Sequence, residues 1–85
     1  MCIEPHYVVS ENIECAGFDA GVLYVRFKRG GCYSYTGVTY TIFDALVKSE
    51  SPGGFFHRFI RNKLHHTKLD IDPFTGLPTE MRSAA

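Results

Sequence analysis

The sequence predicts a single small α+β domain: a three-stranded antiparallel meander followed by two helices packed on one sheet face. Two observations lead to this prediction. Hydrophobic residues alternate before Gly37 and recur at helical spacing after it. Short clusters of turn-forming residues separate the predicted elements. Because 85 residues form only a thin core, with little room for an elaborate active site, we also expect the chain to form a homo-oligomer.

Three stretches predict the strands of the meander. The first covers residues 10–15 and is closed by the turn cluster Asp19-Ala20-Gly21. The second, residues 22–28, alternates most clearly between apolar and polar side chains. The third, residues 32–36, is rich in β-favouring residues and follows the Gly-rich turn 29–31. Consecutive strands joined by such short turns predict an antiparallel arrangement.

Helix start signals predict the two helices. Thr39 or Thr41 can act as N-cap of a first helix of about ten residues. Ser51 followed by Pro52 is a specific start signal for a second helix, because proline suits the first helical position. The hydrophobic spacing predicts that this helix continues to about Lys68.

The last part of the chain differs from the rest in composition. Pro73, Gly76 and Pro78 prevent regular structure there, although the segment is too apolar for a solvated tail. We therefore assign residues 8–68 to the domain and residues 69–85 to an irregular tail. We expect the tail to dock on its own domain or on a neighbouring subunit.

The charges balance overall but are unevenly distributed. Nine Lys and Arg face nine Asp and Glu, and the pI is near 6.9. A neutral chain is unsuited to coating a long polyanion, since that affinity comes from many cations that displace counterions. Residues 58–69 nevertheless contain four basic residues and no acid. Any anion site should therefore be local.

Metal binding and catalysis have little support in the sequence. Cys2, Cys15 and Cys32 form no C-x-x-C pair and are odd in number, so the sequence indicates neither a disulfide framework nor a zinc knuckle. His65 and His66 are adjacent and would point to different sides of a helix, which prevents joint chelation. We predict no metal, no cofactor and no catalytic residues.

The turn at residues 29–31 decides which face the tyrosines occupy. With an odd number of loop residues, Tyr33 and Tyr35 would share the face of Leu23, Val25 and Phe27. We favour an even, two-residue loop because type I′ and II′ turns suit the twist of the strands. The even loop gives an aromatic, basic face made of Tyr24, Arg26, Lys28, Tyr33 and Tyr35.

Such a face resembles the platforms on which single-stranded nucleic acids stack. The alternative is that the tyrosines are cross-strand packing partners or part of a subunit interface.

The predicted second helix carries a candidate anion site. Arg58, Arg61, His65 and Lys68 are spaced three, four and three residues apart, which would align them in one stripe. The alternative is an ordinary solvated helix face, although such faces normally mix charges of both signs.

The predicted start of that helix is a second candidate. Ser51, Gly53 and Gly54 would offer free amides at the positive end of the helix dipole. The alternative is that these residues only cap the helix.

Several short motifs occur in a defined order. They are Ser10-x-Asn12-Ile13, Gly17-Phe18-Asp19, Leu23-x-Val25-x-Phe27-x-x-Gly30-x-x-Tyr33-x-Tyr35-x-Gly37-Val38, Ser51-x-Gly53-x-Phe55-Phe56 and Ile60-Arg61. Over about residues 8–66 the chain thereby resembles the KTSC domain family. This family is named after the C-terminus of some lysyl-tRNA synthetases and also occurs as a free-standing domain in bacteria and phages. Its centre is a Tyr-x-Tyr motif, here Tyr33 and Tyr35.

The chain departs from the family pattern at three places. Thr39 stands where proline is usual, His57 stands where asparagine is usual, and the tail is additional. RNA binding has been proposed for the family, so the resemblance implies binding of RNA rather than a reaction.

These observations predict a non-catalytic binding module for a nucleotide-type anion, either a short RNA element or a small signalling nucleotide. The phosphate would be held by Arg58, Arg61, His65 and Lys68, while Tyr33 and Tyr35 stack on a base. A phage-borne copy could sequester a host immune nucleotide as an anti-defence protein. The alternative is a protein-interaction or oligomerisation module, such as a phage inhibitor that binds a host protein.

The expected location is the cytoplasm of a bacterium or of a phage-infected host cell. No apolar run reaches the ~20 residues of a transmembrane helix, so we expect no membrane partner.

Overall fold

The computed structural model describes residues 2–79 as one antiparallel sheet covered by helices. Five strands lie side by side in chain order. They are β1 (His6–Tyr7), β2 (Ile13–Asp19), β3 (Val22–Phe27), β4 (Cys32–Thr36) and β5 (His66–Leu69). The helices α1 (Tyr40–Lys48) and α2 (Pro52–Phe56) follow β4, and α2 continues into a π-helical segment, His57–Arg61. No described helix is long and apolar enough to cross a membrane.

The α+β class is confirmed, but the sheet has five strands rather than three. β1 has only two residues, which is too short for a detectable alternation. β5 lies within the stretch that we assigned to the end of the second helix and the start of the tail. Its backbone pairs with β4 along four residues. Pairing with β4 satisfies backbone groups that would otherwise lie unpaired along the edge of the sheet.

The second helix therefore ends earlier than predicted, at Arg61 instead of Lys68. Asn62 leaves the helical conformation, with φ −107° and ψ 12°. The chain then returns to the sheet, where the Thr36 N–H donates to the His65 carbonyl oxygen at 3.1 Å. The competition between helix and sheet is decided here by long-range strand pairing, which local periodicity cannot show.

The hairpin register contradicts the predicted even loop. Tyr35 pairs with Leu23 and Tyr33 pairs with Val25, so both tyrosines lie on the apolar face of the sheet. Arg26 pairs with Cys32 and lies on the opposite face. The aromatic, basic face proposed from the sequence does not exist, and the odd-loop alternative is correct.

The loop itself explains the register. The Phe27 N–H donates to the Gly31 carbonyl oxygen at 2.9 Å, which closes a loop of residues 28–30. Gly30 and Gly31 have φ values of 106° and 86°. Because glycine adopts positive φ without steric cost, the two glycines permit this three-residue connection.

Helix α1 starts where the sequence predicts. The Thr39 side chain accepts a hydrogen bond from the Ile42 N–H at 3.2 Å and so caps the helix. Phe43 and Leu46 are one helical turn apart and are buried against the sheet. With the buried side chains of the sheet and of α2, they form one core on the helix-covered face. The members of this core are Ile13, Ala16, Leu23, Val25, Tyr35, Val38, Phe43, Leu46, Phe56 and Ile60.

The opposite face of the sheet is covered by the N-terminal segment and by residues 70–79. The Ile3 N–H donates to the Pro73 carbonyl oxygen at 2.8 Å, which links the two segments. A Cβ at Gly17, on the sheet, would clash with the side chains of Ile3 and Phe74. Both segments therefore pack directly on the sheet and need a glycine there.

A buried charge network lies on this second face. Arg26 is only 7% exposed and donates hydrogen bonds to Asp72 at 3.0 Å and to Glu14 at 2.9 Å. Asp72 also accepts from the Phe74 N–H at 2.8 Å, which fixes the tail segment. Burial alone would lower the pKa of Arg26, but the hydrogen bond to Asp72 and the charges around it raise that pKa above its ordinary value. Arg26 therefore stays charged and ties residues 70–79 to the sheet.

Candidate functional site

A groove of about 850 Å³ lies between the helix-covered sheet face and the end of the second helix. Its apolar lining comes from both layers, with Ile13 and Phe27 from the sheet and Phe56 from α2. None of the described residues that line it is acidic. Its polar and charged members are Asn12, Arg29, Tyr33, Tyr35, His57, Arg61, Asn62 and His66. The groove thus combines two arginines, two histidines and two tyrosines.

Strands β4 and β5 place an aromatic cluster along the groove. Tyr33 and Tyr35 are two residues apart on β4 and therefore share a face. His66 on β5 pairs with Tyr35, and its ring centroid lies 6.0 Å from that of Tyr33 and 5.8 Å from that of Tyr35. The three rings therefore lie side by side along the groove.

The two tyrosines differ in what they can offer a ligand. Tyr35 is 4% exposed and packs edge-to-face on Phe56, with 5.2 Å between the ring centroids. Its ring is therefore too buried to stack on a nucleobase. Tyr33 is half-buried against Phe27, with 5.7 Å between the centroids. It keeps more of its surface open to the groove.

The surroundings of Tyr35 change the pKa of its hydroxyl. Burial raises the pKa of Tyr35, and the nearby Tyr33 acts in the same direction. The positive charge of Arg61 opposes both effects. The hydroxyl stays protonated at neutral pH, and it can therefore donate a hydrogen bond beside a guanidinium.

The π-helical segment brings Arg61 to the groove. Phe56, His57 and Arg61 all line it. In an α-helix, residues five apart point about 140° away from each other, so Phe56 and Arg61 would lie on different sides. The i→i+5 spacing of a π-helix turns them towards a common side. Such segments are rare and often occur at functional sites.

The predicted anion stripe is only partly realised. Arg61 lies in the groove, together with Tyr33 and Tyr35. Arg58 does not line the groove, and its guanidinium carbon lies 5.9 Å from the ring centroid of Phe59. His65 and Lys68 follow the end of the helix, so the four residues cannot form the predicted helical stripe. That prediction is wrong because the helix ends at Arg61.

The location of Arg26 also differs from the prediction. It was a candidate ligand-binding residue on the tyrosine face, but it lies on the other face, buried between Glu14 and Asp72. A guanidinium that already binds two carboxylates is a structural cation.

Sequence reasoning missed several residues of the groove. Arg29 belongs to the hairpin loop, and His57 and Asn62 belong to the helix end, so none of them forms a pattern in the sequence. His66 reaches the groove through β5, a strand that we did not predict. The odd-loop alternative was the one sequence signal that pointed to this groove, because it turns the tyrosines towards the helices.

A second cavity of about 770 Å³ lies at the start of α2. Ser51, Gly53 and Gly54, the predicted helix N-terminal site, line it together with Glu11 and Glu50. The helix has only five residues, and Ser51 makes no side-chain capping bond. Two carboxylates make this cavity a poor place for an anion.

Metal binding finds no support in the described residues. Between residues 2 and 79, no group of three or more His, Cys, Asp or Glu side chains could hold a metal ion. The three cysteines are free thiols, and Cys15 and Cys32 are buried beside Arg26. Burial raises the pKa of the Cys15 thiol to about 11, although the charge of Arg26 acts to lower it.

Comparison with known proteins identifies the family. The KTSC domain model matches residues 9–64, which is more than half of the chain. The chain belongs to the KTSC domain family. The match includes Tyr33, Tyr35, His57 and Arg61, whereas His66 and the segment on the opposite sheet face lie beyond it.

Two further proteins are similar to this KTSC domain. A protein of Tsukamurella paurometabola is 34% identical over 64 residues, covering 73% of this chain and 96% of that protein. The crystal structure of a KTSC domain protein from Yersinia pestis has a TM-score of 0.75 and 27% identity. The alignment covers 80% of this chain and 99% of that one. The fold described above is therefore the fold of a solved family member.

Proposed function

We propose that this KTSC domain is a binding module that holds a small nucleotide-type anion in the groove. The observation that carries the proposal is the charge of the groove, where Arg29 and Arg61 lie with two histidines and no described acid. Guanidinium groups bind phosphate oxygens through strong, charge-assisted hydrogen bonds. The tyrosine hydroxyls and the asparagine amides add neutral donors.

Two other cations of the fold are already paired with acids. Arg26 is paired with Glu14 and Asp72, and Lys48 is paired with Asp44 at 3.1 Å. Among the described residues, Arg29 and Arg61 form no such ion pair. The same holds for Lys28, Arg58, Lys63 and Lys68, but only Arg29 and Arg61 line the groove. Positive charge gathered without an intramolecular partner is what an anion site requires.

The size of the groove favours a small ligand. Ligand cavities in proteins occupy roughly 300–1,000 Å³, and this groove lies within that range. Since the chain has no net charge, it is poorly suited to a long RNA and better suited to a single nucleotide or a short RNA element. Sequestration of a host immune nucleotide in the cytoplasm, as a phage anti-defence protein, would be one use of such a site.

Exposed aromatic residues favour a second candidate function, a protein-interaction or oligomerisation module. Phe59 is 51% exposed and stacks on Phe55, with 4.8 Å between the ring centroids. Exposed aromatic side chains are common in interfaces between subunits or with a partner protein. A homo-oligomer would show a concentration-dependent mass in light scattering, and Phe59→Ser would abolish that dependence.

Calorimetric titration with inorganic phosphate and with nucleoside monophosphates tests the proposed function. Arg61→Ala should weaken the affinity for each probe at least about tenfold, since it removes a charged donor worth more than about 1.4 kcal/mol. Arg58→Ala is the matched control, because it removes the same charge from the same helical segment outside the groove. Its affinity should stay within about twofold of the parent.

Salt dependence provides an independent measure. Affinity that comes from Arg61 should fall as the salt concentration rises, and this dependence should be smaller in Arg61→Ala. Equal affinities of the parent and Arg61→Ala for every probe would rule out the groove as an anion site.

A further inference from the structure

The groove and the second cavity share part of their lining. Asn12 and Gly53 line both of them. A Cβ at Gly53 would lie only 3.2 Å from the Ser10 hydroxyl oxygen, so the absence of a side chain lets Ser10 pack closely at this junction. A ligand that fills both cavities would pass beside Asn12 and Gly53.

The two cavities differ sharply in charge. The groove holds arginines and histidines without an acid among its described lining residues. The second cavity holds Glu11 and Glu50, with Lys28 as its one basic lining residue in the described chain. A ligand that spans both must therefore be anionic at one end only.

We propose that the two cavities form a single site for a nucleoside that carries a terminal phosphate. The phosphate lies in the groove beside Arg61, and the nucleoside lies in the second cavity beside Glu11 and Glu50. This inference rests on the proposed function and names the part of a nucleotide that each cavity takes.

Charge matching argues for a terminal phosphate rather than an internal phosphodiester. A phosphomonoester carries about −1.5 to −2 charges and three acceptor oxygens at neutral pH, which suits the two arginines of the groove. An internal diester is linked to a second nucleoside on its other side. A further phosphate beyond Asn12 would meet the carboxylates of Glu11 and Glu50. The negative charges of the phosphate and of these carboxylates would repel each other.

The second cavity offers what an uncharged nucleoside needs. Carboxylates accept hydrogen bonds from ribose hydroxyls and from the N–H groups of bases. Val8 and Pro52 provide apolar surface beside them. The cavity of about 770 Å³ is large enough for a group of this size.

Calorimetric titration of the full chain with matched probes tests the inference. The probes are inorganic phosphate, guanosine and adenosine 5′-monophosphate, the two unphosphorylated nucleosides, and the cyclic dinucleotides of the same bases, which contain only internal diesters. At least one monophosphate should bind about tenfold more tightly than inorganic phosphate, its nucleoside or its cyclic dinucleotide.

The double variant Glu11→Gln, Glu50→Gln separates the two cavities. It removes both charges at nearly constant shape and should abolish the advantage of the monophosphate over inorganic phosphate. Binding of inorganic phosphate should be unchanged or tighter, because a repulsion is removed. Both residues are exposed, so the variant should fold like the parent. Glu4→Gln, an exposed acid outside both cavities, is the matched control.

Two sources of a phosphorylated nucleoside are distinguished by hexanucleotide RNAs with a 5′-phosphate or a 5′-hydroxyl. A 5′-phosphorylated RNA that binds more tightly than the monophosphate identifies an RNA end, and weaker binding identifies a free nucleotide. The inference is overturned if no monophosphate exceeds inorganic phosphate, or if the cyclic dinucleotides bind equally well, while Arg61→Ala still weakens phosphate binding. Loss of the Arg61 effect instead overturns the proposed function itself.

Discussion

The two faces of the sheet treat positive charge in opposite ways. On the face covered by residues 70–79, Arg26 is buried and bonded to Glu14 and Asp72. On the helix-covered face, Arg29 and Arg61 line an open groove that contains no described acid. The first cation holds the fold together, whereas the second pair is available to a ligand.

The comparison shows that residue type and spacing alone do not identify a binding arginine. Arg26 and Arg61 are the same residue type, and both lie near Tyr33 and Tyr35 in the sequence or in space. Their partners differ, because strand register assigns Arg26 to one face and the π-helical segment turns Arg61 to the other. Substitutions on each face of the sheet test this difference.

The largest effect is expected from Asp72→Ala on the structural face. This change leaves the Arg26 guanidinium buried with an incomplete set of partners and frees the segment that Asp72 holds. Breaking a buried ion pair from one side costs about 3–5 kcal/mol, so the free energy of unfolding in urea should fall by that amount. A loss below about 1 kcal/mol would show that the network is open to water.

A smaller effect on the same face comes from Cys15. Its pKa is raised from 9.0 to about 11 in the folded state, so the folded protein keeps a proton that the unfolded chain releases. This contribution to stability is complete below pH 9 and is lost as the pH rises towards 11. The free energy of unfolding should therefore fall by about 2 kcal/mol over this range.

The pH profile of Cys15→Ala is the control for that effect. It should lack the fall in the free energy of unfolding that comes from Cys15 and keep the contribution of every other titrating group. Parallel profiles of the two proteins between pH 9 and 11 would contradict the buried position of the thiol.

The smallest effect on stability is expected at the groove. Arg61→Ala removes an exposed cation without a described ionic partner, so the free energy of unfolding should change by less than about 0.5 kcal/mol. Urea denaturation of this variant beside Asp72→Ala gives the contrast directly. A loss as large as that of Asp72→Ala would make Arg61 a structural residue and remove the difference between the faces.

Much of the fold could be read from local sequence signals. The alternation of residues 22–27, the Thr39 cap and the Ser51-Pro52 start each correspond to an element in the structure. The Asp19-Ala20-Gly21 turn also lies where it was predicted, and Ala20 and Gly21 adopt positive φ there. These signals are local, and the structure preserves them.

The candidate site could not be read in the same way, because it depends on long-range pairing. One loop residue more or less in the β3–β4 turn moves Tyr33 and Tyr35 from the apolar face to the face of Arg26. The pairing of β5 with β4 ends the second helix and brings His66 to the groove. Neither choice has a periodic signature, so the sequence did not place Tyr33 and Tyr35 on the same surface as Arg61.

Chemical-shift mapping by NMR tests the difference between the two faces most directly. Inorganic phosphate and a nucleoside monophosphate would be titrated into the isotope-labelled chain at low salt. The account predicts that the shifts concentrate at Tyr33, Tyr35, Arg61 and His66, while Arg26, Asp72 and Phe74 stay unchanged. Shifts centred on Arg58 and His65, or on the Arg26 face, would contradict it.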